Sequence, residues 1–154
     1  MPAYFLDSSA LVKFYVEEIG SDWTRSLTNV AENIIYVASV ARVEIVSALT
    51  RRLNRGDIVP AEFDQACDEA EADFINQFRI VDLTNAIIED AITLAKRHGL
   101  RAYDAVQLAA ALDTGRIISE VESTELILVS ADADLNAAAV AQGLRVEDPN
   151  THDF

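Results

Sequence analysis

The sequence predicts an α/β protein of three layers, with helices on both faces of a central, mostly parallel sheet of about five short strands. Three observations lead there. Short apolar, β-rich runs recur along the chain; helix-periodic segments separate them, which is the connection parallel strands need; and the strand-like runs are apolar enough to be buried on both faces. With no repeat, no low-complexity tract, and only 5 Gly and 3 Pro to punctuate 154 residues, residues 1–154 read as a single domain.

The elements follow in order. "AYFLD" (3–7) reads as a buried strand, and "SSALVKFYVEE" (8–18) as a helix opened by a serine cap. Residues 20–33, "GSDWTRSLTNVAEN", form a second helix in this scheme, with Ser21 as its cap. "IIYV" (34–37) is the next strand. "SVARVEIVSALTRRLNRG" (39–56) is a helix whose closing Arg51, Arg52 and Arg55 suit a helix C-terminus and whose Gly56 suits a stop. The segment 60–79 begins with Pro60 and places Phe63, Ala66, Ala70, Phe74 and Phe78 near helical spacing; its six acids from Glu62 to Asp73 read as a solvated face. A strand "IVDL" (80–83) and a helix 84–99 ending in "KRHG" come next. Then follow a helix 102–115, a strand 125–130, a helix 132–143 and a last strand 144–148.

Composition narrows the function. The formal charge of −14 argues against a general nucleic-acid binder, because phosphate affinity normally comes from Lys and Arg. It favours a basic partner instead. One cysteine, Cys67, leaves no internal disulfide and no Cys-rich zinc site, and its acidic neighbours disfavour a thiolate. No apolar run approaches the roughly 20 residues of a membrane span, and "MPAYFLD" lacks the features of a signal peptide, so a cytoplasmic protein is expected.

In parallel sheets, functional sites gather beyond the carboxyl ends of the strands. Asp7 ends the first predicted strand and Asp132 follows the fourth, while Asp104 opens a helix after the "HGLRAY" turn. Each alone is explained as a helix cap or first-turn acid. Glu44 is different. It sits in the apolar helix "SVARVEIVSAL", and Val40, Ala41, Ser47 and Ala48, at helical contact spacing, offer it no cation. Four acids converging on one edge would repel one another unless a cation sat among them. An all-oxygen donor set suits Mg²⁺ or Mn²⁺, and with them metal-assisted phosphodiester hydrolysis. Neither His98, in a helix end, nor His152, in a polar tail, is needed as a base.

At "YFLDSSALVKFY", "SVARVEIVSAL", "LRAYDAVQLAAAL" and "LILVSADADL" followed by "GLRVEDP", the chain resembles the PIN-domain family and, within it, the VapC-type toxin ribonucleases of prokaryotic toxin–antitoxin pairs. The segments occur in family order over nearly the whole length. The resemblance implies a PIN-like fold and an acidic metal site of Asp7, Glu44, Asp104 and Asp132, holding Mg²⁺ or Mn²⁺ for endoribonuclease chemistry. It matches Ser130 to a hydroxyl residue preceding the last acid, and Ser8 and Ser9 to a small polar pair after the first. Asp134 is a reserve ligand or a first-turn acid, Lys13 a phosphate contact or a solvated charge, and Arg101 a neutralising or phosphate-touching residue; Arg51, Arg52 and Arg55 are either a grip on an RNA backbone or, as favoured, residues drawn to a helix C-terminus. The implied partners are RNA, a basic antitoxin protein and a second copy of the chain, with Phe14, Tyr15 and Trp23 available either to that dimer or to the core.

Two other functions compete. One is a catalytically silent PIN-fold module that binds a basic protein. The other is an aspartyl-phosphate enzyme using Asp7; it is disfavoured because Ser9 stands where a second acid would be needed. The stretch 113–125, longer than the resemblance requires, is either a loop or a helix extension.

Overall fold

The computed structural model describes residues 2–152. Its five strands are β1 (Ala3–Leu6), β2 (Ile34–Ala38), β3 (Arg79–Val81), β4 (Leu126–Val129) and β5 (Arg145–Glu147). They form one sheet in the order β3-β2-β1-β4-β5, and every pairing is parallel. The predicted three-layer α/β class is therefore the observed one. β1 lies in the middle, with Ala3 opposite both Ile34 and Leu126, so the strand order reverses beside it. That reversal is the switch point at which open α/β sheets form their crevices.

Seven helices cover the sheet: α1 (Ser8–Leu11), α2 (Ser21–Ser26), α3 (Ala41–Arg55), α4 (Pro60–Asn76), α5 (Asn85–His98), α6 (Ala102–Glu122) and α7 (Ala133–Ala141). Side chains alternate across each strand, so β1 sends Phe5 to one face and Leu6 to the other. Phe5 joins Ile87, Leu108, Leu128 and Leu135, under α5, α6 and α7. Leu6 joins Leu11, Val37, Ile45, Leu49 and Phe74, under α1, α3 and α4. The two apolar layers clamp the sheet and fix its carboxyl edge.

Several boundaries differ from expectation, each for a local reason. The first helix is much shorter than 8–18: α1 ends at Leu11 and passes into a tighter turn over Val12–Phe14. Its cap is Asp7 rather than a serine, because the Asp7 carboxylate accepts the Ala10 N–H at 3.0 Å. The second helix likewise stops at Ser26, short of 33. Gly20 caps it, while the Ser21 hydroxyl bonds Val16 and Glu18 instead. In contrast α6 runs straight through Gly115 to Glu122, so residues 113–122 are helix extension. Gly115 keeps helical geometry against Leu126, whose side chain lies 3.5 Å from where a Cβ would stand. Ser123, in the left-handed conformation, ends the helix.

The acids of α4 face solvent except Asp73, which accepts the Tyr15 hydroxyl at 2.8 Å. Phe14, Tyr15 and Trp23 are engaged within the chain: Phe14 and Tyr15 pack on the α3–α4 layer, and Trp23 stacks on His152 at 4.1 Å. All three pack against the core while remaining partly exposed. Among the described residues no helix is long and apolar enough to cross a membrane.

Gly20 combines two demands. Its φ of +82° lies in the left-handed region, and a Cβ there would collide with the backbone carbonyl of Pro149. Gly56 has a similar φ of +80° with nothing within 4 Å. Gly20→Ala is therefore expected to cost well over the ~1 kcal/mol of Gly56→Ala, which a comparison of their urea midpoints will read. Equal losses would show that the Gly20–Pro149 approach relaxes freely.

Candidate active site

The cleft at the carboxyl edge of β1 and β4 has a volume of about 530 Å³, and Asp7, Glu44, Asp104 and Asp132 all line it. They come from four separate segments: the end of β1, the first turn of α3, the first turn of α6 and the cap of α7. Asp7 and Asp132 do cap helices, as the local sequence allowed, with Oδ1 of Asp132 accepting the Leu135 N–H at 2.9 Å. Capping occupies Oδ1 of each and leaves Oδ2 for other partners. The local role and the shared cleft therefore coexist.

Asp7 is the most enclosed of the four, at 2% exposure. Ser9 donates to its Oδ1 at 2.7 Å and Ser130 to its Oδ2 at 2.8 Å. No cation pairs with it among the described residues. Burial is the main cause that pushes its carboxyl up from 3.8 to about 7; the Ser9, Ala10 and Ser130 hydrogen bonds oppose the rise, and Glu44 adds to it. Ser130 is itself fully buried and also accepts the Asp132 N–H at 3.1 Å, so one hydroxyl links the two strand-end acids.

Glu44 finds across the fold the partners its own helix could not supply. Ser8 donates to its Oε2 at 3.0 Å, and Gln107 donates to its Oε1 at 2.7 Å. The only sequence signal Gln107 carries is its position three residues after Asp104, which puts it on the same face of α6. It is 1% exposed, and its own Oε1 has no partner. Glu44 is raised chiefly by burial, with Asp104 adding to the rise and the two donors opposing it. Asp104 is raised by burial and then by Asp132, against the pull of Arg101.

Arg101 is exposed and reaches both, with Nε 3.4 Å from Asp104 and an amino group 3.2 Å from Asp132. Lys13 is not a solvated charge. It is 4% exposed, and its Nζ donates to the Ile19 carbonyl at 2.8 Å and pairs with Glu18 at 3.4 Å. Asp134 is exposed and does not line the cleft, though it is near enough to raise Asp104. His98 and His152 do not line the cleft: His98 meets Gln142, and His152 meets Glu147. Burial and the charges of Asp64 and Asp68 raise the Cys67 thiol, in keeping with an ordinary helix position.

Among the described residues no group of three or more His, Cys, Asp or Glu side chains is drawn together tightly enough to enclose an ion. A Mg²⁺-type ion does not require that, since it is held by one or two carboxylates, several waters and substrate phosphates. The cleft offers carboxylate and hydroxyl oxygen, with no thiol or imidazole lining it. The donor set therefore fits an ion of that class.

An acidic cleft at the switch point of an all-parallel sheet defines the class, and comparison with known proteins identifies it. The PIN domain model matches residues 4–141, and the chain belongs to that family. Ribonuclease VapC45 of Mycobacterium tuberculosis (strain CDC 1551 / Oshkosh) is 32% identical over 146 residues, covering 95% of each chain. Among solved structures, the Mycobacterium tuberculosis VapC20 sarcin–ricin loop cleaving toxin is similar with a TM-score of 0.63 at 17% identity, covering 88% of this chain and 94% of its own. VapBC2 from Rickettsia felis, bound to a DNA fragment from its promoter, is similar with a TM-score of 0.61 at 15% identity, covering 95% and 98%. At these identities the two structures speak for the fold.

The enclosure of Asp7 has a pH signature. Its folded-state pKa lies above its unfolded value, so below pH 3.8 the group is protonated in both states and ionisation costs nothing. As pH rises from 3.8 to about 7 the folded state loses stability, by roughly 4 kcal/mol in all. In metal-free buffer Asp7→Asn should therefore raise Tm at pH 8 and have little effect at pH 4, followed by circular dichroism. The same change at both pH values would contradict a carboxyl held protonated.

Proposed function

We propose that this protein is a Mg²⁺- or Mn²⁺-dependent endoribonuclease, the toxin of a type II toxin–antitoxin pair, acting in the cytoplasm. One observation carries the proposal. Four acids from four segments line one cleft, in a PIN-family chain that is 32% identical to Ribonuclease VapC45.

Asp7, Glu44, Asp104 and Asp132 would hold the metal, with Asp134 beside them in reserve. When bound, the metal supplies a water of lowered pKa and neutralises charge on the phosphate oxygens. The chain's own residues do the positioning. Ser9 and Ser130 fix the Asp7 carboxylate, while Ser8 and Gln107 fix Glu44. Arg101, exposed and spanning Asp104 and Asp132, would be the residue to meet the scissile phosphate. Lys13, held by Glu18 and Ile19, shapes the wall behind the site.

The partner implied is a basic antitoxin segment, whose cations suit a cleft with four carboxylates. The similarity to a VapBC complex supports that partner. A homodimer belongs to the same proposal, and a monomeric mass at micromolar concentration would count against it.

With Mn²⁺ or Mg²⁺ the purified protein should cut RNA, and Asp104→Asn should lower the rate by at least about a hundredfold. Absence of cleavage with either metal, together with growth arrest on expression that Asp7→Asn leaves unchanged, would refute it. The alternative is a catalytically silent PIN-fold module. It draws on one observation, that the acids are not gathered around one point among the described residues. A Mn²⁺ titration separates the two: saturable binding lost in Asp104→Asn supports the enzyme, and its absence supports the module.

A further inference from the structure

Resting on that ribonuclease proposal, a second feature of the cleft concerns how the strand is held. Besides the acids, four cations line it: Lys13, Arg51, Arg52 and Arg101. Three of them already have carboxylate partners. Lys13 and Arg52 share Glu18, with Arg52 Nε donating to Glu18 Oε1 at 2.9 Å, and Arg101 spans Asp104 and Asp132. Arg51 makes no ion pair among the described residues. Its guanidinium donates to the Ser47 hydroxyl at 2.8 Å, and Ser47 lines the same cleft.

Glu44, Ser47 and Arg51 stand at i, i+3 and i+7 on α3, along one face of the helix. Arg51 lies about 10 Å farther along the axis than Glu44, at 1.5 Å per residue. Glu18 neutralises its two cationic neighbours in part, which leaves Arg51 as the uncompensated positive charge at that end of the cleft. A helix C-terminus attracts arginines for its own sake. Arg55 fills that role, exposed, paired with Asp57 at 3.0 Å and outside the cleft. Arg51 instead lines the cleft that the acids line.

We infer that Arg51 anchors a backbone phosphate flanking the scissile one on a single-stranded RNA, with Ser47 holding its guanidinium in place. The cleft is then bipolar. Carboxylates take the reacting phosphate through metal, and Arg51 takes a neighbouring phosphate directly. This places the one cleft cation without a carboxylate partner among the described residues where a flanking phosphate would lie.

The test compares binding of a labelled RNA oligonucleotide by Asp7→Asn and by the same protein with Arg51→Ala added, in Mg²⁺, so that the strand persists. Removing Arg51 should raise Kd about tenfold and flatten the slope of log K against log salt by about 0.7, the value for one single-strand phosphate contact. Arg51→Lys should keep the slope, and Arg55→Ala should change neither quantity. In the otherwise wild-type protein, Arg51→Ala should reduce kcat/KM several-fold more on an oligonucleotide than on a dinucleoside monophosphate, which carries only the scissile phosphate. Equal salt slopes for the Arg51→Ala and Arg55→Ala proteins, or an equal loss at both substrate lengths, would overturn the inference, as would absence of RNA binding. Arg51-dependent binding in a protein that cuts no RNA would sink the hydrolytic proposal alone and leave this one standing.

Discussion

The burial of one carboxylate organises this structure. Asp7 leaves the middle strand of the sheet where the strand order reverses, and the chain encloses it with two hydroxyls and a backbone N–H in place of a cation. An ionised group in such a place is costly, and hydrogen bonds offset only part of the cost. Its donors nevertheless tie distant parts together. Ser130 comes from the end of β4, and its hydroxyl also accepts from the backbone of Asp132; Ser9 receives the Ala131 N–H at 2.9 Å. The ends of β1 and β4 and the start of α7 are thus registered on one carboxylate.

That arrangement explains which features the sequence disclosed. Asp7, Asp104 and Asp132 were legible because strand ends and helix starts are local patterns, and the parallel sheet carries such junctions to a common edge. Glu44 was legible as an anomaly, an acid without a partner on its own helix. Its solution was hidden, because Ser8 and Gln107 lie 36 and 63 residues away in the chain. Long-range pairing of this kind leaves no periodic trace. The role assigned to each acid rests on the family resemblance and on chemistry, and their convergence in one cleft supports it.

The errors have the same origin. The apolar pattern of residues 8–18 suits a helix, yet Lys13 is drawn inward to the Ile19 carbonyl and Gly20 turns the chain tightly against Pro149. Tertiary contacts overrode the local preference there. In α6 the departure runs the other way. The sequence pattern bounds the helix at 115 and leaves an extension over 113–125 open, and the extension is what forms: a glycine ends a helix when it adopts a left-handed conformation, and Gly115 remains helical as α6 continues to bury Ile118.

The charge distribution bears on the tension between a net charge of −14 and the RNA substrate proposed above. Five of the six acids from Glu62 to Asp73 on α4 are solvated and belong to the surface, whereas four of the twelve basic side chains line the acidic cleft. Net charge governs long-range encounter, but phosphate contacts are made at the scale of a hydrogen bond, where local arrangement decides. A cleft that raises its own carboxyl groups by burial and mutual repulsion holds electrostatic energy that the proposed divalent cation would release. The apolar layers on both faces of the sheet supply the stability against which that energy is held. On the proposed function, the same repulsion that makes the cleft costly would favour a cation there, so a more stable cleft, with the acids paired internally, would bind one more weakly.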